Sequence, residues 1–552
     1  MKVRIGTRGS ELALWQAHHV ASLFKACGVE SEIIVLKTKG DMIDNVPLSK
    51  VEGKAFFTAE IERALLDREV DVAVHSHKDL PTEMTPGLVI AAVPPRATHN
   101  ERLLVRPDAY DEHAAFLPLK LGAKVGTSAP RRLEQLKTLR PDLEVLDLRG
   151  NVPTRVRKAR EGVYDAVVLA AAGLDRLQLS TEGLVAVDLD IALFVPAPAQ
   201  GALAIQVRSD DRAVFDLCHT QLHDAETERA IAAERSLLVS AGGGCSLPLA
   251  AAVGKRPGAP RFTAYAFLGA GHPEGSTFAR WCVADGDAPQ QAIDAALAQL
   301  AGGRATKTGP LGGMRVALTG SASDGSVLGE RLAALGADVV QERVIELEPL
   351  PGVDLAGFLA RAKAGDVVAL SSRQAARMLH GAKVAAGVKF AAVGKACART
   401  LAESGFEASW IGEGGGRELA QLIAVAPQGR VFWPCAQDAV LELEDGLRAR
   451  SIPVERLALY HTKLASGVQL ARDVAVRVYM SPSAVDASIA WERAHPGRAT
   501  LRFALGNSTA TACDRHALEA RRPRCVDGPI TEELVRELRN LSTKSQPHEQ
   551  LR

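Results

Sequence analysis

Apolar runs of strand length alternate with stretches of helical spacing along nearly the whole chain, and this rhythm restricts the fold more than any other feature. VRIGT reads as a strand and ELALWQAHHVASLFKA as an amphipathic helix. SEIIVLKT is strand-like, FFTAEIERALLDRE is helical again, and DVAVHS is a strand. Alternation of this kind builds parallel sheets covered by helices. From Leu121 the pattern starts afresh. KVGTSAPRRLEQLKTLRP is a strand entering a helix, LEVLDLRG a strand, VPTRVRKAREG a helix, and YDAVVLAAAGLDRL a strand feeding a loop. Two similar α/β lobes are therefore expected, with a ligand site beyond the carboxyl ends of their strands.

AETERAIAAERSLLVSAGGGCSLPLAAAV is a long helical pattern ending in three glycines. RFTAYAFLG, STFARWCVA and the helical APQQAIDAALAQLAG follow and suggest a small third domain. The Gly-rich stretch 302–313 suits a linker. The rhythm restarts at MRVALTG and contains an echo. VVALSSRQAARML precedes FAAVGKACARTLAESG, and later VRVYMSPSAVDASIA precedes RFALGNSTATACDRHAL. Each pair reads strand, Ser-containing turn, helix, strand, Gly turn, helix, so two further α/β lobes are expected. Small hydroxyl residues at helix starts can hold carboxylates through N–H and O–H donors. The polar residues 541–552 are expected to be a disordered tail.

A chain of 552 residues exceeds what one hydrophobic core serves. A net charge of +1 gives no global field toward nucleic acid or membrane. Aromatics, at 4%, are too sparse for a stacking platform, and no nucleic-acid module or basic run is present. No apolar run approaches the ~20 residues of a membrane span. Arg4, Arg8 and Glu11 leave no room for a signal-peptide core near the start. Eight cysteines without a CxxC pair argue against a disulfide framework or structural zinc and fit a reducing cytoplasm. Small-molecule partners, a monomer and a cytoplasmic location are expected.

Basic residues gather at predicted strand ends. Arg8 follows the first, Lys54 sits in VEGKAFF, and Lys78 ends DVAVHSHKD. Arg131 and Arg132 open a helix after GTSAP, Arg149 ends LEVLDLRG, and Arg155 lies just beyond. Ser128 is a plausible N-cap for the helix of Arg131, which adds free N–H groups and a positive dipole end. Guanidinium forks bind carboxylates bidentately, so an anionic ligand is expected, against the plainer reading of a solvated surface. Asp79, beside Lys78, can hold or pass a proton, or form an ordinary surface pair with that lysine. His75, His77 and Asp79 would alternate along one strand face and could suit a metal. No fourth ligand is apparent, and no metal is expected. Cys245, in GGGCSLP, follows three glycines that give it the exposure a covalent attachment site requires, whereas most cysteines are buried small hydrophobes.

Together RIGTRGSELALWQA, KTKGD, KVEGKAFFTAEIE, DVAVHSHKDLPTE, GTSAPRR, LRGNVPTR, YDAVVLAAAGLDRL, PAPAQGALAIQ and GGGCSLPL closely resemble the hydroxymethylbilane synthase family, also called porphobilinogen deaminase. The resemblance implies that Cys245 carries a dipyrromethane cofactor through a thioether and that Asp79 is the catalytic aspartate. It further implies that Arg8, Ser10, Lys54, Lys78, Ser128, Arg131, Arg132, Arg149 and Arg155 bind acetate and propionate groups. Arg176 would lie near the incoming substrate and Gln200 near the cofactor. Four porphobilinogen molecules would join head to tail, each losing ammonia, before water releases hydroxymethylbilane. Loss of ammonia leaves a cation that a nearby carboxylate stabilises. Ala55, Phe56, His77, Ala129, Pro130, Pro198 and Ala199 depart from the family's usual residues.

Residues 314–540 resemble uroporphyrinogen-III synthase at Ser371, Ser372, Gly394, Tyr460, Ser481, Gly506, Ser508 and Thr509. The resemblance implies that Tyr460 assists departure of the substrate hydroxyl and that Ser372, Ser481 and Thr509 bind substrate, with no cofactor. Gly320, Arg343 and Cys397 stand where that family commonly has Arg, Pro and Thr. The implied architecture has two periplasmic-binding-protein-like α/β lobes (about 1–100 with 197–217, and about 101–196) and a small α+β cofactor-carrying domain (about 218–301). Two more α/β lobes follow (about 314–349 with 465–540, and about 350–464). Two rival readings stand beside it. In one the second half is a non-catalytic interaction module; in the other the chain is a two-lobe solute-binding or sensory protein, for which Cys245 would have no use.

Overall fold

The computed structural model describes residues 2–36, 58–114, 116–242, 247–269, 279–301, 309–321, 326–412, 415–465, 468–494, 500–505, 507–521 and 530–545. Lys54, Cys245 and Gly506 lie outside them. The chain divides into two compact units, one of residues 1–314 with 330–338 and 535–552, the other of 315–329 with 339–534.

Local chemistry sets the element ends in the first unit. The helix Glu11–Ala26 starts where the Ser10 Oγ accepts the Ala13 N–H at 3.3 Å, carries Glu11 in its first turn, and has Lys25 in its last; cap and charges all favour that direction. Its buried Ala17, Val20 and Phe24 face a sheet, and each large side chain so buried contributes ~1.5–3 kcal/mol. That sheet orders Glu30–Leu36, Lys2–Arg8, Val72–Ser76, Leu203–Arg208 and Leu88–Ala92. The first three strands are parallel, and Leu203–Arg208 runs antiparallel between its neighbours.

A second sheet repeats the plan, ordering Glu144–Leu146, Lys124–Gly126, Ala166–Ala170, Glu101–Val105 and Val185–Asp188. Here too three strands are parallel and Glu101–Val105 is antiparallel to both neighbours. The third sheet, Leu249–Lys255, Phe262–Leu268 and Arg280–Gly286, is antiparallel and packs on the helices Ala225–Ser240 and Pro289–Ala301.

The second unit holds two sheets. One orders Asp338–Arg343, Arg315–Gly320, Val476–Tyr479 and Leu501–Ala504. The other orders Ile345–Pro349, Val454–Leu464, Val431–Ala436, Val367–Leu370, Lys389–Val393 and Ala408–Gly412. In the latter every pairing is parallel except Ile345–Pro349 against Val454–Leu464. The chain is thus an α/β multidomain protein.

Several expectations require correction. AAGLDR is not a loop but the helix Ala171–Arg176, entered directly from the strand Ala166–Ala170. The expected domain break at 217/218 cuts the helix Arg212–Leu222, whose Val214, Cys218 and Leu222 all belong to the first sheet's core. Residues 345–349, expected with the first lobe of the second half, pair with 460–464 in the other sheet; no glycine or proline between Asp338 and Ile345 marks the crossing. The C-terminal helix continues to Ser545, past the expected start of the tail. Leu311, within the expected linker, is buried.

Candidate active sites

In the first unit the strand Val72–Ser76 ends in a single 3-10 turn, His77–Asp79. The expected alternation of His75, His77 and Asp79 along a strand is therefore broken. His75 instead bonds Gln206 at 2.9 Å in the interior. His77 is buried, and its pKa falls to about 4 through burial and the nearby Arg235. Among the described residues no cluster of His, Cys, Asp and Glu could hold a metal. The turn leaves Asp79 exposed and Lys78 half-buried. Lys78 donates to the Gln200 Oε1 at 3.1 Å, and Gln200 donates to the His99 carbonyl at 2.9 Å. Burial pushes the Lys78 amine down to about 8; Asp79 opposes the shift, and Arg132 and Arg131 add to it.

Lys78, Arg132, Arg155 and Arg176 line one cavity of about 110 Å³ together with Gly201 and Ala202. Cations crowded away from water repel one another and favour an anionic ligand. Arg155 falls to about 10 through burial and through Arg132 and Arg149, and Arg176 to about 10 through burial. Arg176 donates to the Gly201 carbonyl at 2.7 Å and sits 5.6 Å over the Trp15 ring.

Arg131 and Arg132 converge on a partner with no local signal in the sequence. Glu101, wholly buried, takes Nε and Nη2 of Arg132 at 2.9 and 2.6 Å and Nη2 of Arg131 at 3.0 Å. Burial alone would raise its carboxyl, but the two guanidiniums hold it down to about 2. The Nε–Nη2 edge of Arg132 is thus filled from inside, and its Nη1 with the second N–H of Nη2 remains for a ligand.

Ser128 is not the N-cap. The helix begins at Pro130 with Ala129 at the cap, and the Ser128 Oγ donates to the Leu148 carbonyl. The reason is steric, since a residue before proline is held extended and the proline itself suits the first helical position. Arg149 pairs with Asp147 at 3.1 Å, and Arg155 donates to the Gly150 carbonyl at 2.7 Å. Arg8 is half-buried at its strand end, and the Ser10 hydroxyl is engaged as a helix cap. Arg8, Ser10, Asp79, Ser128, Arg131 and Arg149 are not among the cavity's lining residues.

In the second unit Ser372 caps the short helix Arg373–Met378, accepting the Ala375 N–H at 3.1 Å. Its hydroxyl lies 2.7 Å from that of Tyr460. Tyr460 is 4% exposed and packs in the apolar core, with its hydroxyl bonded to Ser372. Burial raises its pKa while the Ser372 bond lowers it. Cys397 donates to the Ser372 carbonyl at 3.4 Å; burial pushes this thiol up to about 12, so it acts here as a neutral donor where the resembled family has a hydroxyl. Ser371 accepts from Trp433 at 3.0 Å. Ser481 caps another helix through Ala484 at 3.3 Å, and Thr509 is buried in the helix Asn507–Arg515. Both stand past the ends of strands in the other sheet, and neither shares a hydrogen bond with Ser372 or Tyr460 among the described residues.

Comparison with known proteins follows the same division. Residues 3–216 match a family model described as porphobilinogen deaminase, dipyromethane cofactor binding domain. Residues 326–544 match one described as uroporphyrinogen-III synthase HemD. The porphobilinogen deaminase of Maridesulfovibrio salexigens is 47% identical over 253 residues, which is 45% of this chain and 79% of that protein. That of Syntrophotalea carbinolica is 46% identical over 251 residues, 45% and 77% respectively. A mutant uroporphyrinogen III synthase structure from the extremely thermophilic bacterium Thermus thermophilus covers 42% of this chain and 100% of its own, at 19% identity and a TM-score of 0.31.

Proposed function

Because the chain belongs to the porphobilinogen deaminase family through its first half and carries a uroporphyrinogen-III synthase domain in its second, we propose that it converts porphobilinogen into uroporphyrinogen III by two consecutive reactions. Both domains lie on one polypeptide, so the chain is a bifunctional enzyme of tetrapyrrole biosynthesis. No described helix is long and apolar enough to cross a membrane; we take the working location to be the cytoplasm, the working form to be a monomer, and the partners to be small-molecule pyrroles.

The observation that carries the site assignment is the cavity where Lys78, Arg132, Arg155 and Arg176 meet beside the turn of Asp79. Such donors fit a polypyrrole bearing acetate and propionate groups, because each ring brings two carboxylates that need fixed positive charge. A dipyrromethane group fits the same donors, and Cys245 is the residue that would hold it. When bound, that group supplies the covalent primer for chain growth. Arg155, Arg176 and the Lys78 ammonium orient carboxylates, Arg131 and Arg132 supply charge held in place by Glu101, and Gln200 fixes Lys78. Arg8, Ser10, Lys54, Ser128 and Arg149 extend the carboxylate-binding surface as the chain lengthens. Asp79, exposed on its turn, offers the carboxylate that stabilises the cation formed as ammonia leaves.

In the second half the Tyr460 hydroxyl, oriented by Ser372, would protonate the departing hydroxyl of hydroxymethylbilane. Ser372, Ser481 and Thr509 would hold the substrate's carboxylates near helix starts. Intact-mass measurement of the purified protein tests the first-half assignment. The expected result is an adduct of two linked pyrroles that is absent from a Cys245→Ser variant, which makes no bilane. An unmodified parent that still makes bilane would overturn it.

A further inference from the structure

Arg235 lies on the helix Ala225–Ser240, whose next residues lead to Cys245. Its Nη1 donates to the carbonyls of His77 at 3.3 Å and Leu80 at 3.2 Å, and its Nη2 to that of Pro81 at 2.5 Å. The three acceptors flank Lys78 and Asp79, His77 before them and Leu80 and Pro81 after. We propose that Arg235 is a positioning residue for the deaminase reaction, fixing the Asp79 turn against the helix that leads to the cofactor thiol. The inference rests on the reading of Asp79 as the catalytic carboxylate.

Backbone bonds alone hold the turn unevenly. Its own closing bond, from the Leu80 N–H to the His77 carbonyl, is long at 3.4 Å. The His77 N–H reaches the Ala202 carbonyl at 3.0 Å, which ties the entry to the turn. The exit at Leu80 and Pro81 is held by Arg235. The arginine is itself well anchored, because the preceding Glu234 is wholly buried. Glu234 accepts both Nη atoms of Arg96 at 2.7 and 2.9 Å, the Ala199 N–H at 2.7 Å and the Val253 N–H at 2.9 Å. A planar guanidinium can serve three carbonyls in a fixed fork, which a flexible ammonium cannot reproduce. One helix therefore fixes the backbone on both sides of Asp79. An error of about 1 Å at such a point can cost ~10²-fold in rate.

The test compares Arg235→Gln, Arg235→Lys and Asp79→Asn with the parent, all as holoenzyme with cofactor content verified by intact mass and porphobilinogen as substrate. Positioning predicts that Arg235→Gln keeps its cofactor and a KM within about twofold, while kcat falls by ~10–100-fold. Arg235→Lys should lie between it and the parent, and the pH optimum of kcat should move as the Asp79 turn loosens. If Arg235→Gln yields no folded holoenzyme, Arg235→Lys decides by the same criteria. An unchanged kcat in the folded arginine variants, alongside a large loss in Asp79→Asn, would overturn the positioning role. An unchanged kcat in Asp79→Asn would instead overturn the catalytic reading on which it rests.

Discussion

Replacing Glu101 by Gln should destabilise the first unit by ~3 kcal/mol at pH 7 while barely changing side-chain shape. Glu101 is wholly buried, and the heads it faces are nearly so, Arg132 being 5% and Arg131 15% exposed. Its carboxyl drops from 4.5 to about 2 because the attraction of the two guanidiniums outweighs the burial that opposes it. At ~1.4 kcal/mol for each tenfold change in proton affinity, that drop corresponds to ~3 kcal/mol. It agrees with the ~3–5 kcal/mol seen when one partner of a buried ion pair is removed. The sign follows from the lowered folded-state value. The stabilisation is complete above about pH 4.5 and is lost as pH falls toward 2. Urea unfolding at pH 7 and again near pH 3 measures it directly, with tryptophan fluorescence as the probe. The gap between parent and variant should be large at pH 7 and should narrow in acid. A gap below ~0.5 kcal/mol at pH 7, or one that does not narrow, would refute the reasoning.

Other perturbations separate the two halves. Tyr460→Phe should leave bilane formation intact and cut enzymatic ring closure by ~10²-fold, seen as a shift from isomer III to isomer I, with folding stability within ~1 kcal/mol. Lys78 is charged only below about pH 8, so KM for porphobilinogen should climb as pH rises through that value; Lys78→Met should raise KM at pH 7 and remove the climb. Glu342 accepts both Nε and Nη2 of Arg477, which is 2% exposed. Glu342→Gln should therefore destabilise the second unit by ~3–5 kcal/mol without changing the bilane rate, as differential scanning calorimetry and a deaminase assay would show.

Features written in local sequence were legible. The helices Glu11–Ala26 and Val152–Arg160 were read from their residue pattern, and the structure adds the caps Ser10 and Asn151, the latter accepting the Thr154 N–H at 3.0 Å. Of the basic residues read at strand ends, Lys78, Arg132 and Arg155 line the cavity, whereas Arg8, Arg131 and Arg149 do not, and Arg176 was reached only through the family resemblance. Ser128 was misread because a hydroxyl two residues before a proline looks like a cap, whereas Pro130 fixes the helix start after Ala129. The turn at His77–Asp79 was missed because nothing in VHSHKD breaks a strand; its exit is held by Arg235, over 150 residues away in sequence. Glu101 was missed for the same reason, its partners lying 30 and 31 residues on. Likewise the strand Ile345–Pro349 changes sheets only because residues 460–464 come to meet it.

The most direct test of the central claim is a porphobilinogen incubation with the full chain, followed by oxidation and chromatographic separation of the uroporphyrin isomers. The account predicts mostly isomer III from a protein loaded with its cofactor. Mostly isomer I would contradict a working second half, and no porphyrin at all would contradict the deaminase assignment itself.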